Sequence, residues 1–206
     1  LTKTSKIASK LAGRSLRSRP LCWRYLHEAR MKNILITLII AVLSATASAF
    51  EFEQGRIDIP EGFEGPTTEN MGPHTSVVAF VKRHPNKETG TLLQITSWNP
   101  GQKFPELSMD QLKEGAANYL LQFIGGIERK RTTFKKSSIE YVSISTVPAA
   151  KITWTGVASD RAMTGTMYCL IYQSNIISLH TQDFVEYGHK DIDSAVLAFE
   201  SIQLKR

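Results

Sequence analysis

The sequence predicts an α+β fold, an α/β/α sandwich in which a largely antiparallel sheet of about six or seven strands is covered by two main helices. Short runs of β-branched and aromatic residues are separated by hairpin-length turns, which favour antiparallel pairing. Two other segments repeat apolar residues at helical spacing. Residues 50–206 are enough for one domain with a sizeable core, and they contain no internal repeat and no low-complexity linker.

Seven segments are predicted as strands from their alternation and their β-branched content. The predicted strands are 56–59, 75–82, 91–98, 139–145, 150–157, 162–172 and 176–182. Residues 66–73 are rich in Pro, Thr, Asn and Gly, so they are predicted as a loop. The predicted order is therefore three strands, a helix, four strands and a helix.

The first helix is predicted to begin after Ser108, because Ser108 and Gln111 have the spacing of a capping box. The pair Gly125–Gly126 is predicted to end this helix, since glycine commonly follows a helix C-terminus. Its apolar stripe consists of Leu112, Ala116, Tyr119, Leu120, Phe123 and Ile127. A second helix is predicted over about 190–202, with an inner stripe of Ile192, Val196, Phe199 and Ile202.

Residues 31–49 have the three parts of a secretory signal peptide. Lys32 supplies the positive charge, 34–43 is an apolar run, and 47–49 reads Ala-Ser-Ala, which predicts cleavage near Ala49–Phe50. The apolar run is about half as long as a membrane span requires. A buried core helix and an uncleaved anchor are the alternatives. The favoured interpretation is a periplasmic or secreted protein whose mature form has no membrane span.

Residues 1–30 are predicted to be an upstream or mis-annotated extension that is disordered, with translation beginning at Met31. The rival interpretations are a basic cytoplasmic extension and an organelle-targeting peptide. Residues 1–32 hold nine of the 25 Lys and Arg but one of the 19 Asp and Glu, so residues 50–206 carry a small negative net charge. Because the basic excess belongs to the leader, a nucleic-acid partner is not expected.

The two cysteines, Cys22 and Cys169, are separated by the predicted cleavage. No intrachain disulfide is then possible in the mature chain. Cys169 lies in a predicted strand and is interpreted as a buried structural thiol rather than a nucleophile. The residue directly after the cleavage point is Phe50 and not a cysteine, so a lipoprotein anchor is not expected.

Three stretches carry a resemblance to a known family. Residues 55–63 (GRIDIPEGF) form a strand that runs into a Pro-x-Gly-aromatic turn, 165–181 contains a long late hairpin, and 195–202 (AVLAFESI) is a terminal helix. The order of elements over 50–206 resembles the PsbP/DcrB-like (Mog/PsbP-like) proteins, an α/β/α sandwich family of bacterial periplasms and plant thylakoid lumens. The resemblance implies a non-enzymatic accessory role through partner proteins. The chain departs from the family in having no lipobox and no residues that match the metal-retention role of PsbP.

Motifs for common enzyme chemistries are missing from the sequence: it has no G-x-S-x-G, GxGxxG, P-loop, H-E-x-x-H or CxxC. One cluster has residue types that bind divalent metals, namely His180, Asp183, Glu186, His189, Asp191 and Asp193. The favoured alternative is that Asp191 and Asp193 stabilise the N-terminus of the last helix. No metal site, catalytic residue or cofactor is therefore predicted.

Two surface features are predicted as a possible interaction surface. One is a basic patch formed by Arg129, Lys130, Arg131, Lys135 and Lys136. The other is a set of aromatic residues near turns, Phe63, Trp98 and Phe104. Cations of this kind attract acidic partners, and exposed aromatic side chains anchor interfaces. The favoured alternative for the patch is a solvated strand edge, and the favoured alternative for the aromatic residues is that they are lids on the core.

The sequence thus favours an exported, non-catalytic accessory or binding module that acts through a protein–protein surface. The expected partner is another periplasmic or membrane-associated protein. The alternative is a periplasmic hydrolase or metal-dependent enzyme with an unrecognised site. A deep pocket with convergent His and carboxylate side chains would favour the enzyme, whereas a shallow surface with exposed aromatic residues would favour the module.

Overall fold

The computed structural model describes residues 48–72, 74–85 and 88–205. The predictions for residues 1–30, and those for the charged and apolar parts of the signal segment, lie outside these described residues. Ser48 and Ala49, which precede the predicted cleavage point, begin the first strand.

Within these described ranges the chain forms eleven strands, two α-helices and one 3₁₀ turn. The elements are β1 Ser48–Phe52, β2 Gly55–Ile59, β3 Glu64–Asn70, β4 Thr75–Arg83, β5 Gly90–Trp98, α1 Met109–Glu128, β6 Thr132–Lys136, β7 Glu140–Ile144, β8 Val147–Ala158, β9 Arg161–Tyr172, β10 Asn175–Phe184, the 3₁₀ turn Val185–Tyr187, α2 Lys190–Glu200 and β11 Gln203–Leu204.

The main sheet has eight strands, and all of its pairs are antiparallel, as the short turns predicted. Seven strands lie in the order β3-β4-β5-β10-β9-β8-β6. The eighth, β7, pairs with the first half of β8, while β6 pairs with its second half. A separate sheet has the order β1-β2-β11. The strand count exceeds the predicted six or seven because β1, β3, β6 and β11 are too short or too polar to be recognised by alternation.

The main sheet is covered on both faces, which confirms the α/β/α sandwich. Helix α1 lies against β8 and β9, where Leu120 and Ile124 pack on Ile152 and Trp154. Helix α2 and the small sheet cover the opposite face, where Phe199 is buried. Full burial of side chains of this size contributes about 2 kcal/mol each, so the two apolar layers are the main source of stability. Cys169 is buried as predicted, and burial raises the pKa of its thiol to about 12.

The predicted start of α1 is confirmed, whereas its predicted end is wrong. Ser108 Oγ accepts a hydrogen bond from Gln111 N at 3.3 Å, and Gln111 Oε1 accepts one from Ser108 N at 2.9 Å. The helix continues through Gly125–Gly126 to Glu128. Each glycine costs about 1 kcal/mol relative to alanine in a helix, but packing of the flanking apolar residues against the sheet outweighs this penalty.

The predicted loop at 66–73 is also wrong over most of its length, because β3 extends to Asn70. Its register against β4 shifts between Glu64 and Thr67, and Pro66 lies in this irregularity. A proline has no N–H to donate, so it is tolerated at an edge strand or a bulge, and β3 is the last strand in the sheet order. The last helix ends at Glu200 rather than near residue 202, and β11 follows it.

Candidate binding surface at one end of the main sheet

Four connections lie at the same end of the main sheet. They join β3 to β4, β5 to α1, β7 to β8, and β9 to β10. Antiparallel register brings them together, because Trp98 at the end of β5 pairs with Thr75 on one side and with Ile176 on the other. We call this edge of the main sheet the loop end.

Three adjoining cavities cross the loop end. A polar cavity of about 340 Å³ and a bridging cavity of about 570 Å³ share His74 and Asn99 as lining residues. The bridging cavity and an apolar groove of about 380 Å³ share Gln173 and Ser174. Neighbouring cavities share lining residues, and we call the three together the trough.

The apolar groove lies between the N-terminus of α1 and the turns that join β7 to β8 and β9 to β10. Phe104 N donates a hydrogen bond to Ser174 Oγ at 2.9 Å, which fixes the β5–α1 connection against the β9–β10 turn. Met109 lies at the rim and is 56% exposed. The apolar side chains that line the groove are Phe104, Pro105, Leu107, Met109, Leu112, Val147, Pro148, Ile171 and Tyr172.

The bridging cavity is built on constrained backbone. Gln173 and Ser174 both have positive φ, at 48° and 62°, as a two-residue hairpin turn requires. Neither residue is the glycine or asparagine that this conformation favours, and the turns at 145–146 and 159–160 share the conformation. Asn99 N donates to the His74 carbonyl at 2.8 Å, and Asn99 Oδ1 accepts from Gly101 N at 2.9 Å. Ordered polar groups therefore line the middle of the trough.

Two exposed acidic residues, Glu53 and Glu69, line the polar cavity. Neither makes an ion pair with any residue that the structure describes. Ser97 and Asn175, which are nearly buried, form the polar floor. This end of the trough is consequently suited to a cationic group rather than an anionic one.

The three aromatic residues predicted as a surface do not lie together. Trp98 and Phe104 are at the loop end, where Trp98 meets Tyr119 edge to face at a centroid distance of 5.8 Å. Phe63 follows Gly62, which lies beside the Lys82 side chain, near the opposite end of β4. All three are half-buried against the two cores. Phe104 alone of the three lines the trough.

The basic patch divides into two parts. Arg129 and Lys130 are exposed at the end of α1, and Lys136 Nζ lies 3.6 Å from Glu128 Oε2. Arg131 is instead half-buried, with its guanidinium 4.5 Å from the centre of the Trp154 ring. Arg131 Nη2 donates a hydrogen bond to Gln182 Oε1 on β10 at 2.7 Å. Burial of the guanidinium lowers the pKa of Arg131. The patch runs from the end of α1 onto β6, which carries Lys135 and Lys136, at the edge of the sheet and away from the trough.

The acidic and histidine cluster at 180–193 is separated by the fold. Asp191 pairs with Lys82 at 2.8 Å, and Glu186 pairs with Arg161. His180 is buried, with Nε2 unpartnered; burial and the nearby charge of Arg131 lower its pKa to about 3. Within the described ranges, no three His, Cys, Asp or Glu side chains are grouped so that they could hold a metal ion.

Sequence reasoning missed the partner of Asp183. His84 Nε2 lies 2.9 Å from Asp183 Oδ1, and both side chains are buried. The two residues are 99 positions apart, so no local spacing marks the pair. It lies at the end of the sheet opposite the trough, where β4 ends and β10 ends. Met109 and Tyr172 were likewise missed as surface residues, because each lies in a segment that was interpreted as helix or strand.

Among the helices in the described part of the chain, none has the length and apolar character needed to cross a membrane.

Comparison with known proteins identifies the fold and not the family. No family model and no curated protein matches the sequence. LpqN, a Mycobacterium tuberculosis protein involved in cell envelope biogenesis, has a similar structure, with a TM-score of 0.51 and 10% identity over 77% of this chain and 90% of LpqN. A Pseudomonas aeruginosa protein of unknown function, PA94, has a TM-score of 0.42 and 8% identity over 73% of this chain and 93% of its own. The resemblance to PsbP/DcrB-like proteins therefore stays a prediction, whereas the mixed α+β fold is confirmed.

Proposed function

We propose that this chain is an exported, non-catalytic binding module that acts through a protein–protein surface, and that the apolar groove is its contact site. The observation that supports this most is the groove itself, whose apolar lining is open to solvent between α1 and two turns. Cavities of about 300–1,000 Å³ with apolar walls and a few polar groups are typical ligand sites.

The exposed methionine at the rim gives the groove a contact element. Met109 projects from the first turn of α1 and is 56% exposed, and methionine adapts readily to different partner shapes. Burial of one such side chain by a partner contributes about 1.5–3 kcal/mol. Pro105, Pro148 and Tyr172 also line the groove, and these side chains lose little conformational freedom when a partner binds.

The proposal also includes export of this chain and a partner protein in the cell envelope. The signal-like segment at 31–49 supports secretion to the periplasm or beyond, with cleavage near Ala49–Phe50. The involvement of LpqN in cell envelope biogenesis is compatible with such a location. The partner that we propose is another periplasmic or membrane-associated protein.

Quantitative co-purification with matched variants tests the proposal. Met109→Glu places a carboxylate in the groove, and a negative charge in the first turn of a helix is well tolerated by the fold. Leu197→Glu is the control, because Leu197 is 66% exposed on α2, on the other side of the sheet. We expect a defined set of envelope proteins to co-purify in smaller amounts with Met109→Glu than with the wild type, and in unchanged amounts with Leu197→Glu. If these proteins co-purified in equal amounts with both variants, the groove would not be the contact site.

A further inference from the structure

The trough offers more than the apolar groove, because its chemistry changes along its length. The groove is mostly apolar with Glu106 in its lining, the bridging cavity is lined by side-chain amides together with His74, Lys103 and Ser174, and the polar cavity is lined by Glu53 and Glu69. A ligand that occupies the whole trough must therefore present an apolar group to the groove, hydrogen-bonding groups to the bridging cavity and a charged group to the polar cavity, in that order along its length.

The charge at the far end of the trough is negative. Glu53 and Glu69 line the polar cavity, and no Lys or Arg lines it. Lys103 lines the bridging cavity and not the polar cavity. Because both carboxylates lack an ion-pair partner in the described part of the chain, a cationic ligand group meets no competing cation there.

The length of the trough follows from the strand order. Glu69 lies on β3, Pro148 lies on β8, and β4, β5, β10 and β9 lie between them. Adjacent strands are about 4.8 Å apart, so the five steps span about 24 Å. An extended peptide advances about 3.3 Å per residue and would cover this distance with about seven residues. The amide and hydroxyl groups of Asn99, Gln173 and Ser174 lie midway, where they would meet the peptide main chain.

We propose that the trough binds an extended peptide segment of a partner protein, with an apolar side chain in the groove and a Lys or Arg, about five to seven residues away, facing Glu53 and Glu69. This inference rests on the proposed function, since it names the ligand of the same groove. It adds a specificity: an apolar peptide without the basic residue binds more weakly.

Selection from a random 12-residue peptide library displayed on phage, against the purified full chain, tests this specificity. We expect enriched peptides to contain a large apolar residue and a Lys or Arg at that separation. A synthetic peptide of the enriched class should bind Glu53→Gln/Glu69→Gln about three- to tenfold more weakly, as expected for two exposed charge contacts. The difference should shrink as salt is raised. The control is Glu61→Gln/Glu114→Gln, which removes the same charge from exposed positions outside the trough.

The outcomes separate this inference from the proposed function. Enriched apolar peptides that bind Glu53→Gln/Glu69→Gln normally but fail to bind Met109→Glu would overturn the inference and leave the groove as a contact site. Peptide binding that Met109→Glu leaves intact would contradict both. The selection could also enrich no peptide while the chain binds phosphatidylglycerol vesicles and Met109→Glu abolishes that binding. This result would show that the groove binds lipid, and it would overturn the proposal of a peptide ligand.

Discussion

The carboxylate of Asp183 binds His84 across the end of the sheet, with Oδ1 2.9 Å from His84 Nε2. Its second oxygen accepts a hydrogen bond from Thr91 Oγ1 at 2.5 Å. Oδ1 also accepts from Phe184 N at 2.7 Å. One buried side chain thus connects β10 to β5 and to the residue that follows β4, so this member of the acidic and histidine cluster holds three segments of the chain together.

Asp183→Asn should destabilise the fold by about 2 kcal/mol. The amide cannot accept from all three donors, and a buried donor left without an acceptor costs about 1–3 kcal/mol. Urea unfolding measures the change, with the exposed Asp58→Asn as the control. A loss below about 0.5 kcal/mol would mean that the three hydrogen bonds do not secure the sheet.

Stability should depend on pH through His180. Its pKa falls from 6.5 to about 3 on folding, so only the unfolded chain takes up a proton between these values. Stability is therefore full above pH 6.5 and falls as the pH decreases. Relative to His180→Gln, the wild type should lose about 1.4 kcal/mol between pH 7.5 and 5.5. Urea unfolding of both proteins at the two pH values isolates this contribution. An equal change in stability for the two proteins would show that His180 takes up a proton as readily in the folded chain as in the unfolded chain.

Two glycine-to-alanine substitutions should have opposite effects. A Cβ at Gly165 would lie 2.5 Å from the Thr181 carbonyl oxygen and 2.7 Å from the Trp154 ring, so Gly165→Ala should destabilise by about 1–3 kcal/mol. At Gly125 the nearest atom outside the helix backbone is 3.9 Å away. Gly125→Ala should therefore stabilise α1 by about 0.5–1 kcal/mol. Thermal unfolding compares the two. If Gly125→Ala were destabilising, α1 would end at that glycine, as the sequence pattern indicated.

Neighbouring cations of the basic patch should differ in their contribution to stability. Arg131→Ala removes the stacking on Trp154, so a loss of about 1–2 kcal/mol is expected. Lys130 is exposed, and Lys130→Ala should change stability by less than about 0.5 kcal/mol. Chemical denaturation of the two variants checks this; equal effects would contradict the packing role of Arg131.

The long central elements could be predicted from sequence because their own side chains determine them. Strands β8, β9 and β10 have continuous apolar and β-branched runs, and Ser108 with Gln111 marks the start of α1. Strand β6 (TTFKK) has no such pattern, and it forms because the second half of β8 offers unpaired backbone groups. β3 contains a proline and is likewise stabilised by its neighbour. Pairing of this kind depends on tertiary structure, which alternation alone does not encode.

The trough was predictable only in part. Phe104 was recognised as an aromatic residue near a turn, and it lines the groove. The polar cavity could not be found, since Glu53 lies in the turn between β1 and β2 of the small sheet, Glu69 lies on β3 of the main sheet, and the two share no sequence motif. Charge density correctly located the basic patch on the chain but did not reveal that Arg131 packs on the sheet. A surface assembled from four connections becomes visible only when the strand order is known.

Photo-crosslinking in intact cells tests the groove as a contact site most directly. A benzoylphenylalanine at position 109 places the reactive group at the groove rim, and positions 197 and 130 place it on α2 and in the basic patch as controls. We predict a light-dependent adduct with an envelope protein from position 109 and not from position 197 or 130. Adducts from position 130 alone, or with equal yield from all three positions, would contradict the account.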